Sequence, residues 1–419
     1  MPFIGTFVPP GDKSISHRLI LMSLLAQGQI LIKGLSNCQD VQSSLDIYRT
    51  LGGVTELEAD GLRLRGLGGQ WPPGQDLMLQ CGNSGTTIRL LMGILAGRPG
   101  SYVLDGDEQL RRRPMERVAD PLRRMGAEVK TVNGKPPVTI KGGELKSIDY
   151  TCVAASAQLK SAVLLATLSA KGPSAVTEPC LTRDHTERLI NFWGGSISHS
   201  GLKISLSPGI LKMTNTFECP GDPSSAAFFL SAAAFNEGSS VTAENILMSQ
   251  LRTGFLRVLD RMGAKVSLSL SSDTPEPAGG VKIEYDGPLM ATEITSEETP
   301  SLIDEIPILA LAATQAVGRT IFRQVDELRI KETDRLASIS SQLTAMGAKI
   351  VVEGDDLIVD GPTVLKAPNQ LDSSGDHRLA MTLAIALKTA KAETKILGDK
   401  SIPISYPEFN SHLAQLWRD

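Results

Sequence analysis

The sequence predicts an α/β protein made of two similar domains, each containing three copies of one unit. Three observations lead there. A helix end followed by glycine and a strand recurs as YRTLGGVTELE, LRRMGAEVKTV, INFWGGSISHS, LDRMGAKVSLS and LTAMGAKIVVE. The first glycines stand at 52, 126, 194, 263 and 347, at intervals of 74, 68, 69 and 84 residues. A second element alternates with the first: a small-residue-rich apolar helix with a polar start, seen in KSISHRLILMSLLAQG, NSGTTIRLLMGILAG, SAQLKSAVLLATLSAKG, PSSAAFFLSAAAFNEG, DEIPILALAATQAVG and DHRLAMTLAIALKTAKA. Finally, six such copies of roughly 70 residues fill a 419-residue chain, and a chain of that length divides into about two or three domains.

Each element has a local reason. In the first, glycine suits the left-handed residue that ends a helix, a conformation costly for other residues. A sixth helix, FNSHLAQLWRD, stops where its glycine and strand would follow. In the second, glycines at 28, 97, 172, 238 and 318 are expected to close five helices, while the sixth runs to Ala392 without one. Stretches such as LSAAAF and LALAATQA are apolar on most sides, which places these helices inside the domains. Short strands such as VTELE, LRLRG and SYVLDG complete each copy. Two helices plus strands exceed a stacked solenoid repeat of about 20–50 residues. Asp304, Asp376, Ser84 and Ser156 stand where N-caps are expected.

Composition narrows the function. A net charge of −4 gives no global attraction for nucleic acid, and 4% aromatic residues argue against a base-stacking surface. The apolar runs, such as SAVLLATLSA, are about half the ~20 residues needed to cross a membrane. No secretion signal is seen, and the five cysteines lack metal-binding spacing; they read as free thiols in a reducing compartment. A cytoplasmic protein is expected, with no metal.

The chemistry gathers at the polar helix starts. Lys13, Arg18, Arg89, Lys331, Arg335 and Arg378 fall in or near opening turns, where each opposes the helix dipole at a cost of a few tenths to ~1 kcal/mol. One anion faced by all six explains the repetition, because a helix N-terminus beside a cation attracts anions twice over. KETDR (331–335) also reads as a solvated first turn held by local ion pairs, and RRRP (111–114) as a surface loop. GDKS is not a phosphate loop, since Asp12 stands where its second glycine must be. If helix starts of both domains face one cleft, it would take one or two polyanionic small molecules, and closure would strengthen every contact.

PGDKSISHR, GNSGTTIRLL, RRRPMERV, SAQLKSA, TRDHTE, ELRIKETDRL and DHRLAM run in order from residue 10, with SYPEF at 405–409 as a weaker last match. Together they resemble the 5-enolpyruvylshikimate-3-phosphate synthase family across essentially the whole chain. The resemblance implies an inside-out α/β barrel fold: two domains, each of three βαβαββ-type repeats around buried helices. Residues 1–12 and 220–419 would form the domain holding both termini and 13–219 the inserted one, with the active site in the cleft between them.

The resemblance also implies that the 5-hydroxyl of shikimate 3-phosphate attacks phosphoenolpyruvate, whose methylene is protonated, and that phosphate then leaves the tetrahedral adduct. No cofactor or metal is implied, and a monomer is favoured. By motif position, Lys13, Ser14, Arg18, Ser156, Gln158, Thr182, Asp304 and Lys331 would meet shikimate 3-phosphate. Lys13, Asn83, Gly85, Arg113, Gln158, Arg335 and Arg378 would meet phosphoenolpyruvate. Asp304 would take the hydroxyl proton, Glu332 would protonate the methylene, and Lys13 would share the proton handling. Thr182 replaces the family's usual serine, Ile404 replaces a lysine present in some members, and Arg252 lies in SQLRTG where many relatives read NPTR. Gly85 is where alanine, in some members, crowds out glyphosate, so sensitivity is expected. Two alternatives remain at this point. A sister enzyme acting on UDP-N-acetylglucosamine opens with Lys-Asn and commonly carries a loop cysteine, where this chain has Lys13–Ser14 and DEQLRRRPM. A non-catalytic anion-binding relative would be expected to lose Asp304 or Glu332.

Overall fold

The computed structural model describes residues 2–213 and 216–418; Met1, Thr214, Asn215 and Asp419, which fall within the expected domain ranges, lie outside the described residues. Two compact units form, Met1–Pro10 with Pro220–Asp419, and Gly11–Cys219. Gly11 and Asp12 thus join the second unit rather than the termini. The reason is local: Asp12 is the N-cap of the first helix, accepting a hydrogen bond from the Ile15 amide at 2.8 Å.

Among the described residues, twelve α-helices alternate between buried and outer positions. The buried ones are α1 (Lys13–Ser23), α3 (Gly85–Ala96), α5 (Ala157–Thr167), α7 (Pro223–Phe235), α9 (Ile306–Gln315) and α11 (His377–Thr389). The outer ones are α2 (Gln39–Thr50), α4 (Glu116–Met125), α6 (His185–Phe192), α8 (Gly254–Arg261), α10 (Arg335–Ala345) and α12 (Phe409–Leu416). In α7 every residue from Pro223 to Ala234 is buried, as its alanine-rich sequence on all faces requires. The helix ends depart from expectation. Of the five glycines expected to close buried helices, Gly97 alone sits at a C-cap; α1, α5, α7 and α9 stop before theirs, which lie in the turn into the next strand or at its start.

The strands repeat one pattern. Gly74–Gln80 pairs parallel with Gly100–Asp105, which pairs antiparallel with Lys135–Gly142, itself antiparallel to Glu128–Val132. Four other sheets share this order, and a sixth, Gln370–Asp372 with Lys395–Leu397, has only the parallel pair among the described residues. Within a copy the chain runs strand, buried helix, strand, outer helix and hairpin, which is the βαβαββ unit. Two edge strands come from outside their copy in sequence. Ile4–Phe7 pairs with Ser240–Leu247 in the unit holding the termini, and Thr216–Glu218 pairs with Gln29–Lys33 in the other. The recurring glycines at 52, 126, 194, 263 and 347 all have φ between 79° and 111°. A Cβ at 52, 194 or 263 would meet nothing within 4 Å, so backbone conformation rather than space selects glycine there.

Candidate active site

In unit 11–219 the first turns of α1, α3 and α5 are tied together by side chains. Ser84 and Ser156 cap α3 and α5, accepting from the Thr87 and Leu159 amides at 3.1 and 3.3 Å. Gln158 Nε2 donates to Thr86 Oγ1 (2.9 Å), and Arg89 Nη1 donates to Gln158 Oε1 (2.7 Å). Arg18, 2% exposed, donates from Nε to Thr186 Oγ1 (2.8 Å) and from Nη2 to Ser161 Oγ (3.0 Å). Its Nη1 donates to the carbonyl of Ser14, in the first turn of α1 (2.9 Å).

Lys13 is the first residue of α1, and its Nζ lies 2.9 Å from Asp40 Oδ2 in the first turn of α2. None of the six buried helices has an acidic residue in its first turn. Asp12, Asp222 and Asp376 nevertheless cap three of them, so an external anion is offered only the amides those caps leave over. At Gly85 a Cβ would come 2.5 Å from Arg113 Nη1 and 2.8 Å from Arg89 Nη1, so both guanidinium groups rest on the bare start of α3. Asn83 Nδ2 donates to Asp107 and Gln109 (2.8 and 2.7 Å). Thr182 is buried, its hydroxyl donating to Glu178.

The unit holding the termini gathers Asp304, Lys331, Glu332, Arg335 and Arg378. Arg335, 1% exposed, donates from Nε to Asp376 Oδ2 (2.7 Å), from Nη1 to Asp304 Oδ1 (3.3 Å) and from Nη2 to Glu332. Burial alone would lower its pKa; Asp376, Glu332 and Asp304 outweigh burial and hold the guanidinium charged. Asp376 also caps α11 through the Arg378 amide (2.8 Å), so one carboxylate fixes both the helix start and Arg335. Arg378 Nη1 donates to the Asp304 carbonyl (3.2 Å), and its Nη2 lies 3.8 Å from Asp304 Oδ2. Desolvation, reinforced by Arg335 and opposed by Asp304, lowers the Lys331 ammonium.

Several expectations change. Asp304 does not cap α9, whose N-cap position is Glu305 without a side-chain bond; Asp304 instead faces the two arginines. KETDR is no solvated turn. Asp334 caps α10 through the Ala337 amide (2.9 Å), Thr333 donates to Asp376 (3.3 Å) and Arg335 is buried. RRRP divides: Arg111 Nε donates to Asp105 (2.9 Å), whereas Arg113 reaches Gly85. Arg252, 2% exposed, pairs with the α7 cap Asp222 at 3.0 Å. Sequence reasoning missed Asp40, Asp376 as partner of Arg335, and Glu178 and Glu187 as partners of Lys160, which stands out as a lysine in the apolar helix SAQLKSAVLL.

His17 carries a pH signature. It is fully buried and shares a 2.8 Å hydrogen bond between Nδ1 and Ser44 Oγ. Burial first, then Lys13 and Arg18, lower its pKa well below the usual histidine value. The folded state therefore binds the proton less readily than the unfolded one. Stability should fall by about 1.4 kcal/mol per unit as pH drops below about 6.5, until His17 protonates in the fold. Urea unfolding from pH 7.5 to 5 checks this, and His17→Gln should remove that component of the slope.

The sequence matches the family described as EPSP synthase (3-phosphoshikimate 1-carboxyvinyltransferase) over residues 2–413. The 3-phosphoshikimate 1-carboxyvinyltransferase of Shouchella clausii is 42% identical over 415 residues, 98% of this chain and 96% of that one. The Brevibacillus brevis protein of the same name is 42% identical over 419 residues, 98% of this chain and 97% of that one. An EPSP synthase structure from Acinetobacter baumannii superposes with a TM-score of 0.85 at 37% identity, covering 99% of this chain and 96% of that one. The enolpyruvyl transferase NikO of Streptomyces tendae, at 18% identity and TM-score 0.78 over 99% and 95% of the two chains, shares the fold. With the motif order, the repeated βαβαββ sheets and a match spanning nearly its whole length, the chain belongs to the EPSP synthase family.

Proposed function

We propose that the protein transfers the enolpyruvyl group of phosphoenolpyruvate to the 5-hydroxyl of shikimate 3-phosphate, releasing phosphate. The observation that carries the reading is the bracketing of Asp304 by Arg335 and Arg378, with Glu332 on the same Arg335 guanidinium. One cluster thus supplies two carboxylates for proton transfer and two cations for anionic substrates. The other unit adds Lys13, Arg18 and Arg113 beside the starts of α1 and α3.

Ser14, Arg18, Ser156, Gln158, Thr182 and Lys331 bind shikimate 3-phosphate in this reading. Lys13, Asn83, Gly85, Gln158, Arg113, Arg335 and Arg378 bind phosphoenolpyruvate. Asp304 accepts the 5-hydroxyl proton as the oxygen bonds to the central carbon of phosphoenolpyruvate, and Glu332 protonates the methylene, with Lys13 assisting. Loss of phosphate and of one methyl proton from the tetrahedral adduct then gives the enolpyruvyl ether. A methyl at Gly85 would displace Arg113, which supports glyphosate sensitivity for the glycine enzyme. A cytoplasmic monomer completes the reading.

Phosphate release is the test. It should require both substrates together; release from phosphoenolpyruvate alone, or none with both present, would overturn the proposal.

A further inference from the structure

Lys160, in the second turn of α5, is 1% exposed. Its Nζ lies 2.8 Å from Glu178 Oε2, 2.6 Å from Glu187 Oε1 and 3.4 Å from the Thr182 carbonyl, and both glutamates are buried. Such a triad is a poor way to stabilise a fold, since hydrophobic replacements of buried ion pairs are often neutral or favourable. What it does is tie down the segment from Glu178 to Glu187. Glu178 accepts the Thr182 hydroxyl, and Lys160 holds the Thr182 carbonyl. One residue along α5, Ser161 shares a 2.7 Å hydrogen bond with Thr186, and both side chains accept from Arg18. Residues 160 and 161 therefore underpin both Thr182 and Arg18.

We infer that Lys160 is a positioning residue for shikimate 3-phosphate, acting through Thr182 and Arg18; this rests on the assignment of those two residues to that ligand. The triad fixes the loop, and the ammonium also weakens Glu178 as an acceptor. A phosphate oxygen can bind the Thr182 hydroxyl only if the hydroxyl hydrogen turns away from Glu178. Lys160 Nζ, 2.8 Å from Glu178 Oε2, offsets part of that carboxylate's charge and loosens its hold on the hydroxyl hydrogen. Without Lys160, Thr182 loses that cation behind it and the segment from Glu178 to Glu187 loses its common anchor.

The test is steady-state kinetics of Lys160→Met and Lys160→Arg, with calorimetric binding of shikimate 3-phosphate alone. Lys160→Met should raise both the KM and the Kd for shikimate 3-phosphate at least about tenfold, with the phosphoenolpyruvate KM within about twofold and kcat within about threefold. Lys160→Arg should recover most of the loss. Unchanged affinity for shikimate 3-phosphate in a folded Lys160→Met protein, or equal rises in both KM values, overturns the inference. Should Lys160→Met fail to fold, Glu187→Gln decides: a selective rise of about threefold or more supports it, and no rise overturns it. Wild-type protein that fails to turn over the two substrates would instead remove the functional reading itself.

Discussion

Arg335→Met is expected to be the most damaging single substitution in the chain. The guanidinium is 1% exposed and answers Asp376, Glu332 and Asp304 at once. Removing it leaves those carboxylates sharing a buried site without their common counter-ion, a change of about 3–5 kcal/mol. Turnover should be lost as well, since the proposed proton-handling carboxylates Asp304 and Glu332 and a proposed phosphoenolpyruvate contact depend on the same group. The stability loss should shrink on acidification. Like charges deprived of a cation take up protons more readily in the folded state than in the unfolded one. Stability therefore recovers as pH falls from about 7 toward 5. Urea midpoints of both proteins across that range measure it; a constant difference would show that the carboxylates do not act as one charged cluster.

Lys13→Met should have the second largest effect, of opposite character. Lys13 opens α1, where its charge opposes the helix dipole, so its loss costs the helix nothing and relieves a few tenths of a kcal/mol. Against that stands the lost ion pair with Asp40, whose side chain is 9% exposed. The protein should remain folded, with an ordinary cooperative thermal transition. Turnover should drop by at least about 10³-fold, the scale for removing one preorganised charge from a reacting centre, and phosphoenolpyruvate binding should weaken. Stopped assays at high enzyme concentration reach that range. Near-normal turnover would remove Lys13 from the mechanism.

The fold was legible because its signals are local. A glycine at the left-handed end of an outer helix and an alanine-rich helix with a polar start each need only a few adjacent residues. Repetition at about 70 residues turns weak signals into a strong one. Helix ends were less legible: Gly172 belongs to the turn after α5, and Gly28 stands between the short strand Ala26–Gln27 and the strand Gln29–Lys33. Within the site only the local Glu332–Arg335 pair of KETDR was legible, and long-range partners were not. Lys13 meets Asp40 across 27 residues, Arg335 meets Asp376 across 41, and Arg89 meets Gln158 across 69, distances at which sequence carries no pairing rule. Asp304 illustrates the same limit. Next to a helix start it reads as a cap, and only the fold sets it against Arg335 and Arg378 instead.

A crystal structure of the protein with shikimate 3-phosphate and phosphoenolpyruvate, or glyphosate in place of the latter, would decide whether these cations serve the ligands. Lys13, Arg18, Arg113, Arg335 and Arg378 are all expected within about 3 Å of ligand phosphate, phosphonate or carboxylate oxygens, the charge-assisted range. Ligands held by other cations, with these five side chains keeping only the protein partners described above, would contradict it.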